Sequence, residues 1–168
     1  MTIPKILEII KDEYGFVVFD GEADYDLNII AIRKPDGTPN VYDDQVVICY
    51  KVGGKWKEES FKATTDPGLY WMEAENMNSA GCAIIAHPQQ MRQAYSIGLH
   101  RGSYECLKQR KAVTIWRDPI DNGKHDYRQR TDVGIFGVNL HRSSQWRNTE
   151  DEPINRYSAG SIVVPDPK

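Results

Sequence analysis

The chain has 168 residues, a formal net charge of -3, 40% apolar and 27% charged residues, proportions of a globular domain with no room for long disorder. At 19.2 kDa it is the size of one domain and buries enough surface to fold without a covalent staple. The weak acidity, with a sequence pI near 5.8, excludes a field built for a nucleic-acid partner, and no run reaches the roughly eighteen apolar residues of a membrane span.

In chain order, Ile3, Ile6, Leu7, Ile9 and Ile10 fall at helical spacings. With Thr2 as N-cap, Pro4 in the first turn and Gly15 as a stop, they predict a helix over 3–13 in an N-terminal segment 1–15. From there the period shortens to two or to short apolar runs, predicting strands over 16–19, 27–32 and 46–52, the last turning at Gly53-Gly54 into 55–63. Further strands are predicted over 112–117, 135–140 and 161–164, while 64–81 and 118–132, rich in Asp, Asn, Gly and Pro, read as loops. The fold class is therefore mainly β (α+β), a single unit over 16–168 behind a short N-terminal helix. One echo, Leu99-His100-Arg101 against Leu140-His141-Arg142, has flanks that do not repeat and reads as chance.

Cys49, Cys82 and Cys106 lie far apart, without a CxxC pair or His at ligand spacing, so neither a disulfide framework nor a zinc site is indicated. The N-terminal stretch, broken by Lys5, Glu8 and Lys11, lacks the apolar core of a signal peptide, which predicts synthesis and folding in the reducing cytoplasm. Arg128, Arg130, Arg142, Arg147 and Arg156 gather in the C-terminal third, as either an anion site or a solvated face. His87 and His125, in loops, read as surface residues.

The segment with most chemical content is Ser158-Ala159-Gly160-Ser161, a small-residue turn feeding a β-branched strand. Such a turn exposes the side chain of Ser161 at a strand end, and Gly160 leaves room for a substrate backbone and for N–H groups facing an oxyanion. His141 ends the predicted 135–140 strand. If the two strands are neighbours, hydroxyl and imidazole meet as nucleophile and base.

His141, sixteen residues, then Ser158-Ala159-Gly160-Ser161-Ile162 resembles the signature of the L,D-transpeptidase (YkuD-type) catalytic domain family. Thr64-Thr65-Asp66-Pro67-Gly68-Leu69-Tyr70 resembles that family's Thr-Pro-x-Gly-x-Tyr/Phe segment, and blocks at 65–71, 97–109 and 137–144 are similar to a phage and Bacteroidetes subgroup. The resemblance implies a β-sandwich or barrel and acyl transfer on the stem peptide of peptidoglycan, either cross-linking or hydrolytic, with no cofactor. It places Ser161 at the nucleophile position and His141 as base, with the Gly160 and Ser161 N–H groups as oxyanion donors. It suggests that Ser158 holds the turn, that Asn139 or Ser143 orients the imidazole, that Arg142 meets a substrate carboxylate, and that His100 lines the cleft. Trp71 and Trp146 are either cleft walls or buried loop anchors.

Three departures stand out. The family's nucleophile is cysteine where this chain has Ser161, its second histidine is Ala159 here, and further residues are expected beyond Lys168. A site built for a thiolate and an imidazolium loses most of its activity with a hydroxyl, so Ser161 reads as a silencing exchange, with a naturally inactive or serine-using relative as the other possibility. The phage-like subgroup implies lytic use, delivered to the cell wall with a virion or holin. The alternatives are a binding module for a peptide, glycan or protein that kept the fold, and a structural virion role.

Overall fold

The isoleucine spacing near the N-terminus produces helix α1 (Lys5–Asp12) in the computed structural model, which describes residues 2–166. The helix starts later than predicted: Pro4, not Thr2, stands at the N-cap and supplies no side-chain cap. Gly15 ends it as expected, at φ +65 with its N–H on Lys11 O, while Phe16 N–H reaches Ile10 O.

Strands β1 (Asn28–Ile32), β2 (Asp44–Val52) and β3 (Lys55–Ala63) form the first sheet, antiparallel in that order. Gly53 and Gly54, both at positive φ, make the tight β2–β3 turn. The strand predicted over 16–19 does not form. Asn28 instead clasps Phe19, donating to its O at 2.9 Å and accepting from its N–H at 2.8 Å, and Gln90 clasps Val17 in the same way at 2.7 and 3.1 Å. Two carboxamides replace a neighbouring strand, and 16–19 becomes a strap.

The stretch 64–81 contains one short helix, α2 (Leu69–Met72). Strands β4 (Cys82–Ile85), β5 (Tyr95–His100) and β6 (Tyr104–Gln109) follow, none of them predicted, and then β7 (Val113–Asp118) and β8 (Arg130–Gly134), the latter at the end of a predicted loop. The expected strand over 135–140 fails in all but its last residue, which opens β9 (Leu140–Arg142); β10 (Ile162–Val164) completes the set. The second sheet runs β4-β7-β8 and the third β10-β9-β6-β5, with β9 and β10 parallel.

The loss of the 135–140 strand has a specific cause. Gln109 Oε1 accepts the N–H groups of Phe136, Gly137 and Val138 at 2.9, 2.9 and 3.2 Å, while its Nε2 donates to Lys111 O and Gly134 O, both at 2.9 Å. Backbone that would have needed a ladder partner is satisfied by one buried side chain.

All three sheets feed one core. Val46 and Ala63 of the first, Ile85, Val113 and Ile115 of the second and Ile162 of the third pack together. A reciprocal bridge, Thr64 N–H to Val163 O at 2.8 Å and Val163 N–H to Thr64 O at 2.9 Å, ties the end of β3 to β10. The result is the expected mainly-β α+β class with a short N-terminal helix. No helix among the described residues is long and apolar enough to cross a membrane.

Replacing Gln109 by Ala leaves three backbone N–H groups without an acceptor, so Gln109→Ala is expected to lower the unfolding free energy by about 2–4 kcal/mol in urea denaturation. An unchanged midpoint would show that water takes over these bonds.

Candidate functional site

The parallel pairing of β9 and β10 sets Leu140 opposite Ile162 and His141 opposite Val163. Alternation turns Leu140 and Ile162 into the core and places His141 and Val163 on the other face. Ser161 stands directly before β10, in the bend that follows Gly160. Its Oγ accepts the N–H of Asn139 at 3.2 Å and shares no hydrogen bond with His141 among the described residues.

The turn before it is held from within. Ser158 Oγ donates to Ser161 O at 2.8 Å and accepts the N–H of Gly160 at 3.2 Å. That N–H is thus already bonded. Gly160 sits at φ +111, and a Cβ there would lie 2.3 Å from Ala83 O, so the space left by its missing side chain is filled by β4 rather than left for a substrate. Ala159 is exposed, while Ser161 is 9% exposed and His141 6%.

The imidazole of His141 is positioned by groups the sequence did not indicate. Its Nδ1 lies 2.8 Å from Arg142 O, a group that can only accept, so Nδ1 carries the proton and Nε2 keeps its lone pair. Tyr104 O–H donates to the same carbonyl at 2.6 Å and stands 3.2 Å from Nδ1. Burial, opposed only by the Arg142 carbonyl, pulls the His141 pKa down to about 4, with His100 and Arg101 adding to the drop.

His100 stacks on the His141 ring, with centroids 4.0 Å apart at 28°, and on Tyr104 at 5.2 Å; its Nδ1 has no hydrogen-bond partner among the described residues. Neither suggested orienter reaches the imidazole. Asn139 Oδ1 accepts Gln109 N–H at 3.0 Å, and Ser143 Oγ bonds Thr149 Oγ1 at 2.5 Å. The Arg142 guanidinium lies over the Tyr104 ring at 4.9 Å. Trp71 is anchored through its Nε1 to Arg156 O, whereas Trp146 is 87% exposed.

The 64–70 segment buttresses the turn. Asp44 Oδ2 accepts both Thr65 N–H and Thr65 Oγ1–H at 2.7 Å, and Arg33 donates to Thr65 O and Thr65 Oγ1 at 2.8 and 2.9 Å. Arg33 Nε also lies 3.1 Å from Asp66 Oδ1, an ion pair only, because the N–H points at Thr65. Tyr127 O–H bonds Asp66 Oδ2 at 2.9 Å, and burial still holds that carboxyl above its usual range. Gly68 donates to Ser158 O at 2.8 Å, and a Cβ on it would lie 2.0 Å from Asn155 O.

His125 is not a surface residue: its side chain is 6% exposed and its Nε2 lies 2.9 Å from Pro67 O, because the 118–132 loop folds onto the Asp66 network. The five arginines do not converge; Arg128 covers Trp116, Arg156 covers Tyr70, Arg130 pairs with Asp132, and Arg147 pairs with Glu152. The three cysteines are free and buried. Burial pushes the Cys49 thiol to about 11 and Cys82 to about 12, so neither is an alternative nucleophile. Among the described residues no group of three or more His, Cys, Asp or Glu side chains converges as a metal site would.

The lowered proton affinity of His141 makes stability depend on pH. Between its ordinary 6.5 and about 4 the unfolded chain binds a proton that the folded site refuses, so stability falls as pH drops through that window. The expected loss is up to about 3 kcal/mol, read as the difference in pH slope between the wild type and His141→Gln. Equal slopes would mean that the folded protein protonates His141 without penalty.

Compared with family models, curated proteins and solved structures, the chain gives no match.

Proposed function

We infer that this domain is an acyl-transfer enzyme of the L,D-transpeptidase type, acting on the stem peptide of peptidoglycan through a cysteine-type nucleophile at position 161, and silent while serine stands there. The observation that carries this reading is the fixed tautomer of His141. A buried, neutral imidazole with Nδ1–H on the Arg142 carbonyl keeps its Nε2 as a base, on the strand paired with the one that residue 161 leads into. The resemblance of the His141 to Ser161 interval to the family signature supplies the substrate class.

In this mechanism the nucleophile attacks the peptide carbonyl, His141 Nε2 takes its proton, and the leaving amine receives that proton as the acyl-enzyme forms. Water or an amine then releases the acyl group. With Gly160 N–H engaged by Ser158 Oγ, the Ser161 N–H is the donor the mechanism relies on to face the oxyanion. His100 and Tyr104 act as positioning residues, one stacked on the base and the other bonded to its carbonyl partner.

One observation favours the second reading, a non-catalytic peptide- or glycan-binding module. The Ser161 hydroxyl is held by Asn139 N–H instead of by the base.

Intact-protein mass spectrometry separates the two. Ser161→Cys protein incubated with purified muropeptides or with a carbapenem is expected to gain one acyl adduct, which the wild type and the Ser161→Cys/His141→Gln double variant lack. Absence of any adduct on folded Ser161→Cys protein, together with saturable muropeptide binding by the wild type, would establish the binding module instead.

A further inference from the structure

On the opposite face of β9 and β10 from His141 the fold forms a half-open, mostly apolar pocket of about 660 Å³. Leu140 and Ile162 form part of its floor, Ile6, Ile9 and Ile10 of α1 one wall, and the 16–19 strap another. It separates two packed clusters, one around Val46 and Ile162 and the other around Leu7 and Val47. Close packing is the rule in protein interiors, and apolar voids far smaller than this one stay dry and accept apolar molecules. An engineered cavity of about 150 Å³ holds one benzene, so this one has space for roughly four groups of that size, the bulk of a long hydrocarbon chain.

The charge of the walls narrows the ligand. The lining includes two charged residues, Arg33 and Arg92, and no aspartate or glutamate. Arg33 is committed to Thr65, Ile85 O and Asp66. Arg92 is exposed, lies within ion-pair distance of no carboxylate among the described residues, and rests its guanidinium 6.0 Å above the Phe19 ring of the strap. A cation without an anion at the rim of an apolar cavity matches a molecule with one long apolar tail and one negative end. The strap borders the pocket where the exposed Gln90–Val17 clasp joins it to the 87–93 loop.

We propose that this cavity binds a single-chain fatty acid, the tail lying between α1 and the sheets and the carboxylate meeting Arg92. The site shares no side chain with the Ser161 and His141 pair, so it stands or falls separately from the proposed activity.

Calorimetric titration of the whole chain with sodium oleate, below its micellar concentration, tests it. The expected result is saturable binding of one oleate per chain. Arg92→Glu, an exposed change that leaves the core intact, and methyl oleate, which lacks the charge, should each weaken binding by about tenfold or more. Ala94→Phe, which fills the cavity from a buried wall position, should abolish it in protein that retains its circular dichroism spectrum. No saturable binding by the wild type, several oleates per chain, or undiminished affinity of Arg92→Glu for oleate or of the wild type for methyl oleate would each overturn the proposal.

Discussion

The Gln109 side chain makes five hydrogen bonds, three of them to the N–H groups of 136–138, which have no ladder partner, and the geometry of the candidate site depends on them. Without that anchor, 135–138 would need a strand neighbour or water, both hard to supply beside the core residue Val138. With it, the chain leaves β8, turns through Gly137 at φ +75 and enters β9 in a fixed register. Because β9 has three residues, a slip of one position would swap the faces of Leu140 and His141, burying the imidazole in the core. Gln109 thereby sets which side of the third sheet carries His141.

A second polar assembly, Asp44, Arg33, Thr65 and Asp66, performs the matching task for β10. It rigidifies the segment whose Thr64 pairs with Val163 and whose Gly68 donates to Ser158 O, so the 158–161 turn is braced on both sides. Burying two carboxylates and a guanidinium is unfavourable unless nearly every polar atom is satisfied. Here the partners are mostly backbone and hydroxyl groups. The arrangement therefore secures one loop conformation more than it adds net stability.

Much of this was legible where local patterns act alone. The isoleucine spacing of α1, the alternation of β1 to β3 and the Gly53-Gly54 turn follow from propensity and period. The sequence reading failed where a distant side chain replaces a strand: Asn28 and Gln90 for 16–19, Gln109 for 135–138. It also missed β5 and β6, whose exposed Ile97 and Leu99 and mixed polar residues hide the pattern, although Arg101 and Gly102, both at positive φ, mark the turn between them. At the site, Ser158 and His141 stood out by residue type and spacing. The Arg142 carbonyl and Tyr104 did not, because a backbone acceptor has no sequence signature and Tyr104 lies in an unrecognised strand. The two Leu-His-Arg stretches, unrelated by their flanks, meet with their histidines face to face.

The state of His141 bears on how such a site would work with sulfur or with oxygen. Its Nδ1 partner is a neutral carbonyl, not a carboxylate, and burial, which disfavours the charged form, outweighs the support that carbonyl gives an imidazolium in the resting protein. A thiol at position 161 would accordingly begin as a neutral pair with the imidazole, not as the preformed ion pair expected from sequence. The proton would move when a substrate carbonyl and its developing oxyanion bring the compensating negative charge. A hydroxyl asks more of the same base. Its proton is far less acidic than that of a thiol, and in this fold its oxygen already accepts a hydrogen bond from Asn139 N–H. Low basicity at His141 and the grip of Asn139 act in the same direction, so on the proposed reading one atom, sulfur or oxygen, would separate a competent nucleophile from a silent one on an otherwise unchanged scaffold.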